Sequence, residues 1–109
     1  MTPLVASTPT PLPTVADAKA YALRVLGPRG YACLNSIVEH ESHWRVHALN
    51  KSSGAFGIPQ ALPGSKMRSD GADWRDNAVT QTRWTISYVN WRYGGACAAA
   101  AFRDRNGWY

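Results

Sequence analysis

The chain has 109 residues, of which 45% are hydrophobic and 17% charged, with a net charge of +5. That is room for one folded domain, and the composition excludes a disordered or fibrous chain. No apolar run approaches the roughly 20 residues of a membrane-crossing helix, and the positive charge favours a polyanionic partner: nucleic acid, an acidic membrane surface or a bacterial cell wall.

Residues 1–14 carry four of the seven prolines, at positions 3, 9, 11 and 13, and read as an extended linker ahead of a domain over 15–109. Met1 to Leu12 have neither the basic end nor the apolar stretch of a signal peptide. Export is therefore expected through a holin-like route, a phage virion, an upstream segment or a larger parent chain. Thr14 followed by Asp17 marks a helix start, and the run from Val15 to Leu26 is stopped by Gly27-Pro28. A second helix is expected from about Tyr31 to Trp44.

From there to Met67 the chain is punctuated by Asn50, Gly54, Gly57, Pro59 and Pro63, a long irregular stretch of the kind that is usually functional in a small domain. Gly71 to Asn77 reads as a turn. Asp76 or Asn77 then caps a helix of about sixteen residues that ends at Gly94-Gly95. On it Val79, Ile86, Val89 and Tyr93 form one stripe, with Trp84, Tyr88 and Trp91 beside it, so burial on most sides is expected. A short last helix covers Ala96 to Arg103. The expected fold is mostly α: a small single domain around one central helix, with a long loop or short hairpin between two helices.

Cys33 and Cys97 are too few for a disulfide scaffold or a four-ligand zinc site. They suit one bridge that closes a loop of roughly sixty residues, contributes about 4 kcal/mol and requires an oxidising compartment. Two separate buried thiols are the other reading.

In the second helix, Leu34, Ile37, Val38 and Glu41 fall on one face, and Trp44 continues the stripe. Glu39 lies on the polar side with Asn35 and His43. A carboxylate in an apolar stripe is costly, and burial there without a partner favours the protonated form. An acid that keeps its proton beside an indole is what glycoside cleavage requires. The competing reading pairs Glu41 with a buried arginine, for which Arg24, Arg45 and Arg92 are candidates, or with a capping amide.

The segment ESHWRVHALNKSSGAFGIPQALPGSKM, residues 41–67, resembles the lysozyme-like lytic transglycosylase domains of actinobacterial secreted proteins and phage tail or lysis proteins. Those domains, relatives of the soluble lytic transglycosylases and resuscitation-promoting factors, pair a Glu-Ser on a helix with a Ser-Gly-Ala-aromatic-Gly-Ile-Pro-Gln loop. The likeness extends over about residues 18–109 and includes Cys33, Cys97 and the ending Gly107-Trp108-Tyr109. It implies an α+β lysozyme-like fold and a single catalytic acid at Glu41, with Ser42 next to it. It places substrate-binding groups at Ser53, Phe56 and Gln60, and more loosely at Tyr88 and Trp91. Phe56 stands where many relatives carry Tyr. The implied reaction cuts the MurNAc-β-1,4-GlcNAc bond of peptidoglycan glycan strands and leaves 1,6-anhydroMurNAc ends, with no cofactor. The implied location is extracytoplasmic, secreted to the cell wall or carried in a phage tail.

Four other classes compete. A hydrolytic lysozyme would add water and need a second carboxylate, for which Asp70, Asp73 and Asp76 read better as helix caps. A non-catalytic wall-binding module would keep a cleft without chemistry. A zinc hydrolase fails on spacing, because a His-Glu-x-x-His site starting at His40 needs histidine where Trp44 stands. Nucleic-acid binding is disfavoured because the arginines are scattered along the chain and no recognised module is present.

Overall fold

Thr14 opens the first helix with a reciprocal cap. Its hydroxyl accepts from the Asp17 N–H at 3.1 Å, and the Asp17 carboxylate accepts from the Thr14 N–H at 2.8 Å. The computed structural model describes residues 11–109, so most of the linker read over 1–14 lies outside the described residues. Helix α1, Val15–Glu41, is broken at Gly27, where φ is 74° and ψ 172°. Pro28 begins the second half at once, a position where its missing N–H costs nothing, so the restart comes before the expected Tyr31. The helix ends at Glu41 rather than at Trp44. His43 and Trp44 take left-handed backbone conformations, with φ of 53° and 60°. That reversal turns the indole inward, where Trp44 is 3% exposed and donates Nε1–H to Asn35 at 2.8 Å.

Helix α2, Ala78–Tyr93, is capped by the Asn77 side chain, which accepts from the Val79 and Thr80 N–H groups at 2.9 and 3.1 Å. Gly94, at φ 86°, ends it. Helix α3, Ala96–Asn106, continues past the expected Arg103. A 3-10 helix over Gly64–Asp70 occupies part of the stretch expected to be irregular. Among the described residues there is no strand; the hairpin reduces to two isolated bridges, Leu49 with Phe56 and Phe56 with Ala61.

Helix α2 is the central one, packed against α1, α3 and the 3-10 helix. Its buried side is not the apolar stripe alone. Ile86 and Val89 are buried, but so are Thr80, Gln81, Thr82 and Thr85, while Trp91 is 81% exposed. Burial on most sides is therefore corrected to a buried, partly polar face and an open aromatic one. The threonines stay satisfied inside the helix: Thr82 donates to the Ala78 carbonyl at 2.8 Å and Thr85 to the Gln81 carbonyl at 2.7 Å. Leu34, Ile37 and Val38 of α1 meet Ile58 of the long loop, Ile86 and Val89 of α2, and Ala99 of α3 in the main core. Ala61, Met67 and Trp74 form a smaller second cluster under the loop.

Cys33 and Cys97 are bonded, with Cα atoms 4.9 Å apart, and tie α1 to α3. Replacing both, Cys33→Ala with Cys97→Ala, is expected to lower unfolding free energy by about 4 kcal/mol. Urea denaturation of the variant, and of the reduced wild type, should give the same drop.

Candidate active site

Glu41, at the last turn of α1, keeps 21% of its side chain exposed. Its Oε1 accepts from Nε of Arg103 at 3.2 Å, and that guanidinium is itself only 18% exposed. No hydrogen bond among the described residues engages Oε2. The unpartnered apolar setting expected for this carboxylate is thus corrected: a charge-assisted pair holds one oxygen and leaves the other open. None of the three anticipated arginines is the partner. Arg45 donates to the Ser42 carbonyl, Arg24 lies over Tyr21 and Arg92 over Tyr93.

Ile58 ties the long loop to both the end of α1 and α2. Its carbonyl accepts from the hydroxyl of Ser42 at 2.7 Å, and its N–H donates to Oε1 of Gln81 at 2.8 Å. Gln81 is fully buried, and its Nε2 donates to the carbonyls of Trp74 at 2.9 Å and Val46 at 3.0 Å. One amide thereby joins α2 to three separate stretches of chain. Gly57 is required beside it: its φ is 80°, and a Cβ there would sit 2.7 Å from Gln81 Oε1.

Between this loop and α2 lies a cavity of about 140 Å³ whose walls include Pro59, Gln60, Trp84, Tyr88 and Tyr109. Gln60 sits at φ 55° and donates Nε2–H to the carbonyls of Ala48 and Gly57, each at 3.0 Å, which leaves its Oε1 without a partner among the described residues. Tyr88 stacks on Trp84 with centroids 5.1 Å apart and meets Tyr109 edge-on at 5.8 Å. Tyr109 donates its hydroxyl to the Pro59 carbonyl at 2.7 Å, clasping α3's tail to the loop. Burial first, and the neighbouring Glu41 carboxylate second, hold its phenol well above the usual tyrosine range. Glu41 is not itself in the cavity wall; Tyr109 is the wall residue that feels its charge.

The anticipated site residues divide accordingly. Gln60 and Tyr88 line the cavity. Ser42 is buried and spends its hydroxyl on Ile58. Ser53 lies at the exposed loop tip, where its hydroxyl accepts from the Ala55 N–H at 3.1 Å. Phe56 turns into the second core cluster, edge-on to Trp74 at 5.8 Å. Trp91 lines a neighbouring groove. The histidines sit on the surface, His43 3.6 Å from Glu39 and His47 2.8 Å from Asp76. Asp73 does serve the start of α2, since its carboxylate accepts from Thr80 and Asn77; those two bonds hold it below the ordinary range. Arg103, Gln81 and the role of Tyr109 escaped the sequence reading, because each acts on residues far away along the chain.

Over 79 residues, 72% of this chain, the sequence is 37% identical to the probable transglycosylase IsaA of Staphylococcus haemolyticus. The chain spans 29% of that relative's length. No protein-family model and no solved structure matches the chain. The similarity supports a lytic-transglycosylase-like domain.

Two measurements follow from this geometry. Gln81→Leu leaves the Ile58 N–H and two carbonyls without their partner, and should cost about 3 kcal/mol or more in urea unfolding. The phenols of Tyr109 and Tyr93 are both raised above the ordinary 10.0 by burial, so the native state keeps their protons after the unfolded chain has released them. Their contribution is complete below about pH 10 and declines as pH climbs toward the folded-state values. Tyr109→Phe should flatten that alkaline decline in a pH series of melting temperatures.

Proposed function

We propose that this chain is a peptidoglycan lytic transglycosylase domain in which Glu41 serves as the single acid and base. The observation that carries the reading is the carboxylate at the end of α1: one oxygen is held by Arg103, the other is open, and beside it lies an aromatic and amide-lined cavity.

Glu41 in its protonated form gives its proton to the oxygen bridging MurNAc and GlcNAc. The bond from MurNAc C1 to that oxygen breaks, and the GlcNAc end leaves as an alcohol. The N-acetyl carbonyl of the same MurNAc supports the electron-poor C1, so no protein nucleophile is needed. The C6 hydroxyl of that sugar then attacks C1, and its proton passes to the Glu41 carboxylate. The 1,6-anhydro ring closes, the acid is restored and no water is consumed. Arg103 supplies a counter-charge during the interval in which Glu41 is ionised. The free Oε1 of Gln60 is placed to accept from a sugar hydroxyl or acetamido N–H, while the Tyr88 and Tyr109 rings offer apolar surface to pyranose faces.

A one-carboxylate mechanism fits the remaining acids. Two-carboxylate glycosidases place their groups about 5 to 9.5 Å apart across the bond. Here four of the six other acids are engaged elsewhere, Asp17 in the Thr14 cap, Asp73 with Thr80 and Asn77, Asp76 with His47 and Glu39 with His43, while Asp70 lines the separate groove beside Trp91 and Asp104 is exposed on α3. The disulfide suits work outside the cytoplasm, and the positive charge suits an anionic wall. Secretion within a longer parent protein, or carriage in a phage virion, would each deliver the domain there.

Glu41→Gln is expected to keep the fold and to reduce muropeptide release from purified walls by about 10²- to 10⁴-fold. Mass spectrometry of the wild-type digest should find anhydro ends. Hydrated reducing ends would identify a hydrolytic lysozyme, and tight wall binding with no products would identify a binding module.

A further inference from the structure

The peptide unit that joins Pro59 to Gln60 is held from both sides. Its N–H, on Gln60, donates to the Gly57 carbonyl at 3.0 Å, and its carbonyl, on Pro59, accepts from the Tyr109 hydroxyl at 2.7 Å. The first bond closes a turn within the loop, whereas the second reaches across 50 residues from the tail of α3. Gln60 itself sits at φ 55°, a left-handed conformation that residues with side chains adopt rarely. A peptide unit pinned at both ends opposes its relaxation to negative φ.

The direction of the Gln60 side chain follows from that backbone. Its Nε2 donates to the carbonyls of Ala48 and Gly57, and this leaves Oε1 free at the cavity. The tail that brings the Tyr109 hydroxyl to Pro59 is itself packed. Gly107, at φ 78°, turns the chain after α3, Trp108 meets Phe102 edge-on at 4.9 Å, and the Tyr109 ring stacks with Tyr93 at 6.5 Å. Among the described residues the Pro59 carbonyl is the one hydrogen-bond partner of that hydroxyl.

We infer that Tyr109 is a positioning residue for substrate: through the Pro59 carbonyl, its hydroxyl aims the Gln60 amide so that Oε1 meets a sugar hydroxyl or acetamido N–H. The inference rests on the transglycosylase reading for the identity of the ligand. It divides the work of α3 in two. Arg103, in the body of the helix, serves the proton transfers at Glu41, and Tyr109, in the tail, serves the grip on the sugar.

Tyr109→Phe removes the hydroxyl and keeps the ring in the cavity wall. In muropeptide release from purified walls it should raise the apparent KM about five- to tenfold and leave kcat within about twofold, as loss of one hydrogen bond that aims a binding group would do. Gln60→Ala should raise KM by a similar factor. Adding Tyr109→Phe to Gln60→Ala should then change KM by less than about twofold, because the amide to be aimed is gone. An unchanged KM in Tyr109→Phe, or its full penalty retained beside Gln60→Ala, overturns the assignment. Two readouts are independent of turnover. In nitrogen–proton correlation spectra of Tyr109→Phe, the Gln60 side-chain amide signals should move toward those of a solvated glutamine, and signals that stay in place also overturn it. Calorimetry of chitotetraose binding to the Glu41→Gln variant should show the same non-additive loss on adding Tyr109→Phe and Gln60→Ala. If wild-type protein released no anhydro products while the amide shift and the coupled loss of binding persisted, Tyr109 would keep this role and the proposed reaction would fall.

Discussion

A single buried amide organises this domain. Gln81 projects from the central helix into a space where water has no access, and there it bonds an N–H of the long loop and two carbonyls from the segments before and after it. Such a group is costly to bury and costly again to leave unpaired, so its presence specifies where each of its partners must lie. Ser42 completes the arrangement from α1 by taking the other polar group of Ile58. Two helices thus grip one residue from opposite sides. The neighbours Pro59 and Gln60 inherit their positions in the cavity wall from that grip, and the loop stays in place with scarcely any sheet to hold it.

The relation between α1 and α3 is fixed by a second set of contacts. The Cys33–Cys97 bond lies upstream of both members of the Glu41–Arg103 pair, about two turns earlier on α1 and somewhat less on α3. Cross-linked helices cannot slide past each other, so carboxylate and guanidinium meet in one register. Tyr109 carries the same organisation onward: as α3's tail it closes the cavity, touches Tyr88 and reaches the loop at Pro59. The acid, its counter-charge and the cavity wall are consequently parts of one rigid frame.

Much of this was legible from local chemistry. The Thr14–Asp17 cap, the Gly27-Pro28 break, the Asn77 cap and the Gly94-Gly95 stop depend on residues a few positions apart, and a sequence displays them directly. A bridge was one of the two readings that two cysteines allow, and the bond is formed. The end of α1 was not legible. Trp44 continues the apolar periodicity, but the indole is buried by reversing the chain after Glu41 rather than by extending the helix. The character of α2 was hidden for a different reason: Thr82 and Thr85 count as polar in a pattern, yet their hydroxyls are satisfied within their own helix and are free to be buried. Arg103 stands 62 residues from Glu41, a separation at which no periodicity carries information. Phe56, read with the loop motif as a substrate contact, is partly buried against the second core cluster, a packing role that the motif does not reveal.

The unequal placement of the indoles has a spectroscopic consequence. Trp44 and Trp74 are 3% and 7% exposed, whereas Trp91 and Trp108 are 81% and 53% exposed. Their emission should separate into a blue, shielded fraction and a red, wetted one, of which a small ionic quencher would extinguish only the second. Intrinsic fluorescence can therefore watch the outer surface of α2 and the end of the chain without a dye, while the protected pair reports in the same trace whether the interior has remained closed.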